Sequence, residues 1–149
     1  MIPRILAIDF GTKRVGLAVS DALGMTAQGL PTLQRTRIAD DLARLLALVE
    51  EYSVELVLVG NPIGHSGGET AMSQLVAEFV EKLRRRLSCP VELRDERLTS
   101  VEANRTLRDA GLSIGKRQRA VDRMAAVLLL QSYLDYLENE HRRESGPEG

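Results

Sequence analysis

Three carboxylates stand where ordinary structure gives them little reason: Asp9, Glu96 and Asp122. Asp9 follows the apolar run from Ile5 to Ile8. An acid at the end of a strand otherwise suited to burial is costly unless a cation sits beside it. After it come Gly11, Thr12, Lys13 and Arg14: a glycine for close backbone approach, a hydroxyl, and two cations suited to phosphate oxygens. Glu96 comes just after a short strand, and Asp122 sits in the first turn of the final helix, before its most apolar segment, MAAVLLLQSYL. If the fold gathers the three, their mutual repulsion calls for an oxygen-ligated cation, Mg²⁺ or Mn²⁺. Two such ions roughly 3.5–4 Å apart can activate water and stabilise the leaving oxygen in phosphodiester hydrolysis.

Each acid also has a plainer explanation. Asp122 at a helix start is favoured by the macrodipole, and Glu96 could pair with a neighbouring arginine on an exposed loop. Asp9 is the hardest to explain that way. Cys89 has no matched histidine near it and reads as a small apolar group before Pro90. His65 lies in the glycine-rich loop 61–68, where it could meet a substrate, and His141 lies in the tail. No G-x-x-x-x-G-K-[ST] occurs, which excludes a P-loop. Asp9-Phe10-Gly11 spells the kinase triplet, but the chain is too short and lacks the other kinase segments.

The elements that must position these groups follow from periodicity. Ile5–Asp9 and Val15–Val19, joined by the turn 11–14, predict a hairpin, and GLPTLQR (29–35) a third short strand. Ile38, Leu42, Leu45, Leu46 and Val49 mark a helix over 38–52. VELVLVG (54–60) predicts a buried strand, and Met72 to Leu87 a second long helix. Residues 90–93 predict the last strand. Thr99 and Glu102 have capping-box spacing for a short helix 100–110 stopped by Gly111. A basic link, 112–118, then leads to a final helix from Arg119 to Glu138. The order β-β-β-α-β-α-β-α-α predicts an α/β domain: a mixed five-stranded sheet, antiparallel at its start and parallel afterwards, with helices on both faces. In that topology strands one and four are parallel neighbours, and their carboxyl ends open where such folds place ligands.

At 149 residues, 44% of them apolar and 28% charged, the chain suits one domain, expected over 1–140 with a flexible charged tail, 141–149. Net charge is −1, which by itself does not suggest a nucleic-acid partner. The local pattern differs: Arg105, Arg108, Lys116, Arg117, Arg119 and Arg123 face only Asp109 and Asp122 within that stretch. Such a basic surface can hold phosphates. With three Tyr, two Phe and no Trp, base stacking is not the expected mode of binding. The lone cysteine, the absence of a leader and the absence of a long apolar segment lead to the expectation of a cytoplasmic protein without membrane contact.

DFGTKRVGLAVSD, VGNPIG, DERLTSVEA and VDRMAAVLLLQSYL resemble the four sequence blocks of the YqgF/RuvX family, over about Ile5 to Leu137. The resemblance implies an RNase H-like fold and a metal-dependent nuclease, in a family often named for Holliday-junction resolution and linked in bacteria to maturation of the 16S rRNA 5′ end. It implies an acidic triad at Asp9, Glu96 and Asp122, with Asp95 the alternative to Glu96. Arg97 and Thr99 match the same block and would orient the site or touch substrate, and Lys116, Arg117 and Arg119 keep the basic character of the link. One block departs: Asn61 stands where the family usually has leucine, and the following loop, through Gly68, is atypical. Three functions stay open: a nuclease acting on precursor rRNA, within or outside a ribosomal precursor particle; a junction-resolving DNase working as a dimer; and a non-catalytic nucleic-acid or ribosome-binding factor. The oligomeric state is not set by any residue pattern.

Overall fold

Side-chain alternation decides what each strand residue meets, because successive residues point to opposite faces of a sheet. A computed structural model describes residues 3–61, 71–95 and 114–145, with backbone alone at 95, 114–122, 144 and 145. Its elements are β1 (Ile5–Phe10), β2 (Arg14–Ser20), β3 (Ala27–Gln34), α1 (Ile38–Glu51), β4 (Leu56–Asn61), α2 (Ala71–Arg86), β5 (Val91–Asp95) and α3 (Ile114–Ser145). The strands form one sheet in the order β3-β2-β1-β4-β5. The β1–β2 and β2–β3 pairs are antiparallel, and the β1–β4 and β4–β5 pairs parallel. The expected mixed sheet, with β1 central and β4 its parallel neighbour, is the one observed.

One face of β1 carries Leu6, Ile8 and Phe10 into a core with Leu42 and Leu45 of α1 and Val76, Phe79, Val80 and Leu83 of α2. The other face carries Ile5 and Ala7, which join Ala18, Leu56 and Leu58 under Ala126, Leu129, Leu130 and Leu134 of α3. Both faces of β1 and β4 are covered, which is why these strands read as nearly continuous apolar runs. Ala7, Ala18 and Ala126 are all fully buried, so α3 lies close against the sheet.

Several boundaries differ from expectation. β3 starts two residues earlier than 29, β4 starts at Leu56 rather than 54, and β5 continues to Asp95 rather than stopping at Leu93. Pairing explains β5, since Gly60↔Arg94 and Asn61↔Asp95 extend the parallel ladder. The last helix spans 114–145 rather than 119–138, so most of the expected link is helical, as are residues 141–145, and Asp122 lies in its third turn rather than its first. The i,i+4 pair Arg142–Glu138 at 2.8 Å supports its final turns. Loop residues 62–68, the short helix 100–110 and residues 146–149 lie outside the described residues. Among the described residues no helix is long and apolar enough to cross a membrane.

The end of the sheet opposite Asp9 is tied down by side chains. Ser20, fully buried, accepts the Ile5 amide proton on its Oγ at 2.8 Å. In the β2–β3 turn Asp21 Oδ1 accepts the amides of Met25 (2.8 Å) and Thr26 (3.2 Å). These bonds, that of Met25 above all, hold the Asp21 carboxyl below its ordinary range. Gly24 adopts φ 69° in the same turn, a region that favours glycine.

Candidate active site

Asp9 is the third residue, after Ile5 and Ala7, on the face of β1 that α3 covers. It is half-buried near the carboxyl end of the central strand. Its direct partner on β2 is Gly16. On β4, one step beyond the Ile8↔Val59 pair, stands Gly60. Glycine on both neighbouring strands puts no Cβ directly beside Asp9 across the sheet. Beyond Gly60 the row ends at Arg94 of β5. Arg14 lies on the same face of β2 as Gly16 and Ala18, so it shares the side of the sheet to which Asp9 belongs.

The level of Asp122 follows from the packing of α3. The Gln131 carboxamide oxygen accepts the Ala27 amide at 3.0 Å. Ala27 pairs with Ser20, which caps Ile5, so Gln131 stands level with Ile5. Nearer the helix start, the stem of Arg123 lies across Gly29, where an added Cβ would fall 2.8 Å from its Cγ and Cδ. Gly29 pairs with Ala18 and Ala18 with Ala7, so α3 runs antiparallel to β1. The first turns of α3, with the backbone of Asp122 one residue before Arg123, therefore lie toward the end of the sheet where Asp9 stands.

Asp95 closes β5 beside Asn61 of β4. Glu96 comes next in the chain; it, Arg97 and Thr99 lie outside the described residues, as does His65. Lys116, Arg117 and Arg119 occupy the first turns of α3, described there as backbone only. Among the described residues no three His, Cys, Asp or Glu side chains gather as a metal site. Cys89 has no catalytic environment either: burial pushes its thiol above the ordinary value, away from a nucleophilic thiolate.

The turn after Asp9 is narrow. The Gly11 amide donates to the Arg14 carbonyl at 2.9 Å, and Thr12 and Lys13 are exposed. A Cβ at Gly11 would lie 2.5 Å from that same carbonyl oxygen. Backbone, not a flexible side chain, would have to move. Gly11→Ala is expected to lower stability by roughly 1–3 kcal/mol and to displace the turn. Urea unfolding checks the first effect and amide chemical shifts of residues 11–14 the second; unchanged values in both would contradict this geometry.

Two arginines near the site escaped the reading of motifs. Arg94, adjacent to Asp95 in the chain, places its guanidinium carbon 5.0 Å and 5.1 Å from the ring centroids of Tyr133 and Tyr136, which ties β5 to α3. Burial first, then the Glu92 carboxylate, push the Tyr133 phenol above its ordinary value, so it stays protonated. Arg35 lies just past β3 and contacts the turn after Asp9. The available signal was positional: a cation directly after one strand and directly before a candidate acid.

Known proteins match this chain along most of its length. The family described as RuvX, Holliday junction resolvase, matches over residues 3–136. A protein of Koribacter versatilis is 50% identical over 132 residues, which cover 89% of this chain and 86% of that one. A protein of Moorella thermoacetica is 45% identical over 134 residues, covering 90% and 96%. Both bear the name "Putative pre-16S rRNA nuclease". Among solved structures, Thermus thermophilus RuvC in complex with a Holliday junction substrate superposes with a TM-score of 0.59 at 18% identity, covering 93% of this chain and 97% of that one. The yeast mitochondrial Holliday junction resolvase Ydc2 superposes with a TM-score of 0.53 at 14% identity, covering 95% and 82%. At such identities these two likenesses establish the fold, an RNase H-like resolvase fold. On sequence identity, matched length and strand order, the chain belongs to the RuvX family.

Proposed function

We propose that this protein is a metal-dependent endonuclease that processes the 5′ end of pre-16S rRNA. The observation that carries the reading is Asp9: a half-buried carboxylate near the end of the central strand, flanked by Gly16 and Gly60 and on the side of α3. Family membership and the name shared by its curated relatives support it. The donor set fits a hard cation, since Asp9, Glu96 and Asp122, with Asp95 the alternative to Glu96, offer only carboxylate oxygens. Those residues would hold Mg²⁺ or Mn²⁺, which when bound would activate water and stabilise the leaving oxygen.

The chain's own residues supply the rest. Gly11 keeps the turn slim enough for a phosphate to approach the backbone. Lys13, exposed at the tip, and Arg14, on the Asp9 face, hold the phosphates on either side of the scissile bond. Lys116, Arg117 and Arg119, in the first turns of α3, extend this cationic surface, and Arg97 and Thr99 orient the substrate.

The test compares a 5′-extended 16S precursor with a four-way DNA junction, each with purified protein and Mn²⁺ or Mg²⁺. Cleavage of the precursor in its 5′ leader is expected. Symmetric cutting of the junction with the RNA untouched would replace this reading with resolution of branched DNA by a dimer. Binding of RNA without cleavage of either would replace it with a non-catalytic factor.

A further inference from the structure

Arg35 reaches from the end of β3 to the turn that follows Asp9. Its amide donates to the Lys13 carbonyl at 3.0 Å. Its Nη1 makes two long bonds, each 3.4 Å, to the carbonyls of Gly11 and Thr12. Three successive carbonyls of the turn are thus directed at one residue. All peptides described are trans, and a trans amide sets N–H opposite C=O. The amides of Thr12, Lys13 and Arg14 are therefore directed away from Arg35.

Arg35 is itself fixed. Its Nε donates to Asp41 Oδ2 at 3.3 Å, and its guanidinium carbon lies 4.6 Å from the centroid of the Phe10 ring. That ring stacks on Phe79 of α2 at 4.1 Å. Asp41, in α1, is 1% exposed, and its Oδ1 accepts both the amide (3.0 Å) and the hydroxyl (3.2 Å) of Thr36. A carboxylate this buried persists because its oxygens are paired and hydrogen-bonded. The donors that Arg35 directs at Asp41 and the turn are spent on protein acceptors, which argues against a direct phosphate contact and for an indirect role.

We infer that Arg35, oriented by buried Asp41, is a positioning residue: it fixes Phe10 and the Gly11–Lys13 turn, and so the place at which Asp9 and Lys13 meet a substrate phosphate. The inference rests on the nuclease reading of the Asp9 site. Lysine cannot replace Arg35 here, because one ammonium lacks the planar fork that spans Asp41 and the turn together.

Wild type, R35K and the neutral double variant R35M/D41N separate this role from simple stability. In the double variant the new carboxamide can still accept from Thr36, and the new thioether side chain can still cover Phe10, so folding is expected. Amide exchange at Gly11 and at residue 35, whose N–H groups bond to the Arg14 and Lys13 carbonyls, should quicken about tenfold in R35M/D41N, and by less in R35K, as the turn opens locally. With Mn²⁺, kcat on the 5′-extended precursor should fall at least about tenfold with a smaller change in KM, because small misplacements of reacting groups are that costly. Kd for the same labelled RNA, measured in EDTA, should weaken in the same order of variants. Unchanged exchange at Gly11 and residue 35 would overturn the inference, and so would faster exchange with kcat and Kd both unaltered. If wild type does not cleave, the proposed function fails while exchange and Kd still decide the role of Arg35. If the double variant does not fold, R35K alone carries the comparison.

Discussion

Asp9→Asn is expected to abolish cleavage of the 5′-extended precursor while the protein stays folded. The substitution is nearly isosteric and removes one oxygen donor from the proposed cation site. A bound metal supplies several kcal/mol of transition-state stabilisation, which corresponds to roughly 10³-fold in rate. Stability should move the other way or not at all. Without metal, like-charged carboxylates brought together repel one another, so removing one charge relieves the folded state. Thermal melts in EDTA should show Asp9→Asn at or above the wild-type Tm, and gel-based cleavage with Mn²⁺ should show no product. Cleavage within a few-fold of wild type would displace Asp9 from the centre of the mechanism. Asp122→Asn should behave alike, because the backbone of Asp122 lies toward the same end of the sheet.

Ala126→Leu should cost both stability and activity. Ala126 is fully buried where α3 meets the sheet, and the strand residues of the same cluster include Ala7 and Ala18, also fully buried. Three small residues there let α3 lie close to the sheet. An isobutyl group in that contact must push the helix outward or force strained rotamers, at about 1–3 kcal/mol. For a chain of this size that lowers Tm by roughly 3–12 °C. Because Asp122 precedes Ala126 by about one helical turn, any displacement of α3 also moves Asp122 relative to Asp9. Activity should therefore fall by more than the loss of folded protein explains. Calorimetry with cleavage assays well below Tm checks both effects. An unchanged Tm would mean that α3 does not approach the sheet as closely as these alanines imply.

Much of this molecule is legible in its sequence because the signals are local. The runs 5–8, 15–19 and 54–60 are too short for helices and rich enough in branched residues for strands, and they became β1, β2 and β4. Helix 38–52 was legible from its apolar spacing, and α1 ends within a residue of it. The start of α3 was not. Residues 114–118, Ile-Gly-Lys-Arg-Gln, hold one apolar side chain and a glycine, so no apolar repeat announces a helix there. The extension of β5 to Asp95 was hidden for a similar reason, since it depends on pairing with Asn61 rather than on any apolar pattern in β5.

The candidate site divides in the same way. The sequence by itself determined the residue types: an acid after an apolar run, a Gly-Thr-Lys-Arg turn behind it, and an acid just before an apolar helical segment. It also determined the parity by which Asp9 joins Ile5 and Ala7, because alternation is a property of the strand alone. Only the tertiary structure decided which helix that parity faces. It placed Gly16 and Gly60 on either side of Asp9, from strands that are remote from each other in the chain. It set α3 antiparallel to β1, so that the backbone of Asp122 lies toward the end of the sheet that holds Asp9, and it brought Arg35 with buried Asp41 onto the turn behind it. The physical reason is that periodicity labels the two faces of an element without saying what covers each. Strand order, helix direction and cross-strand level are settled by which packing buries the apolar faces together.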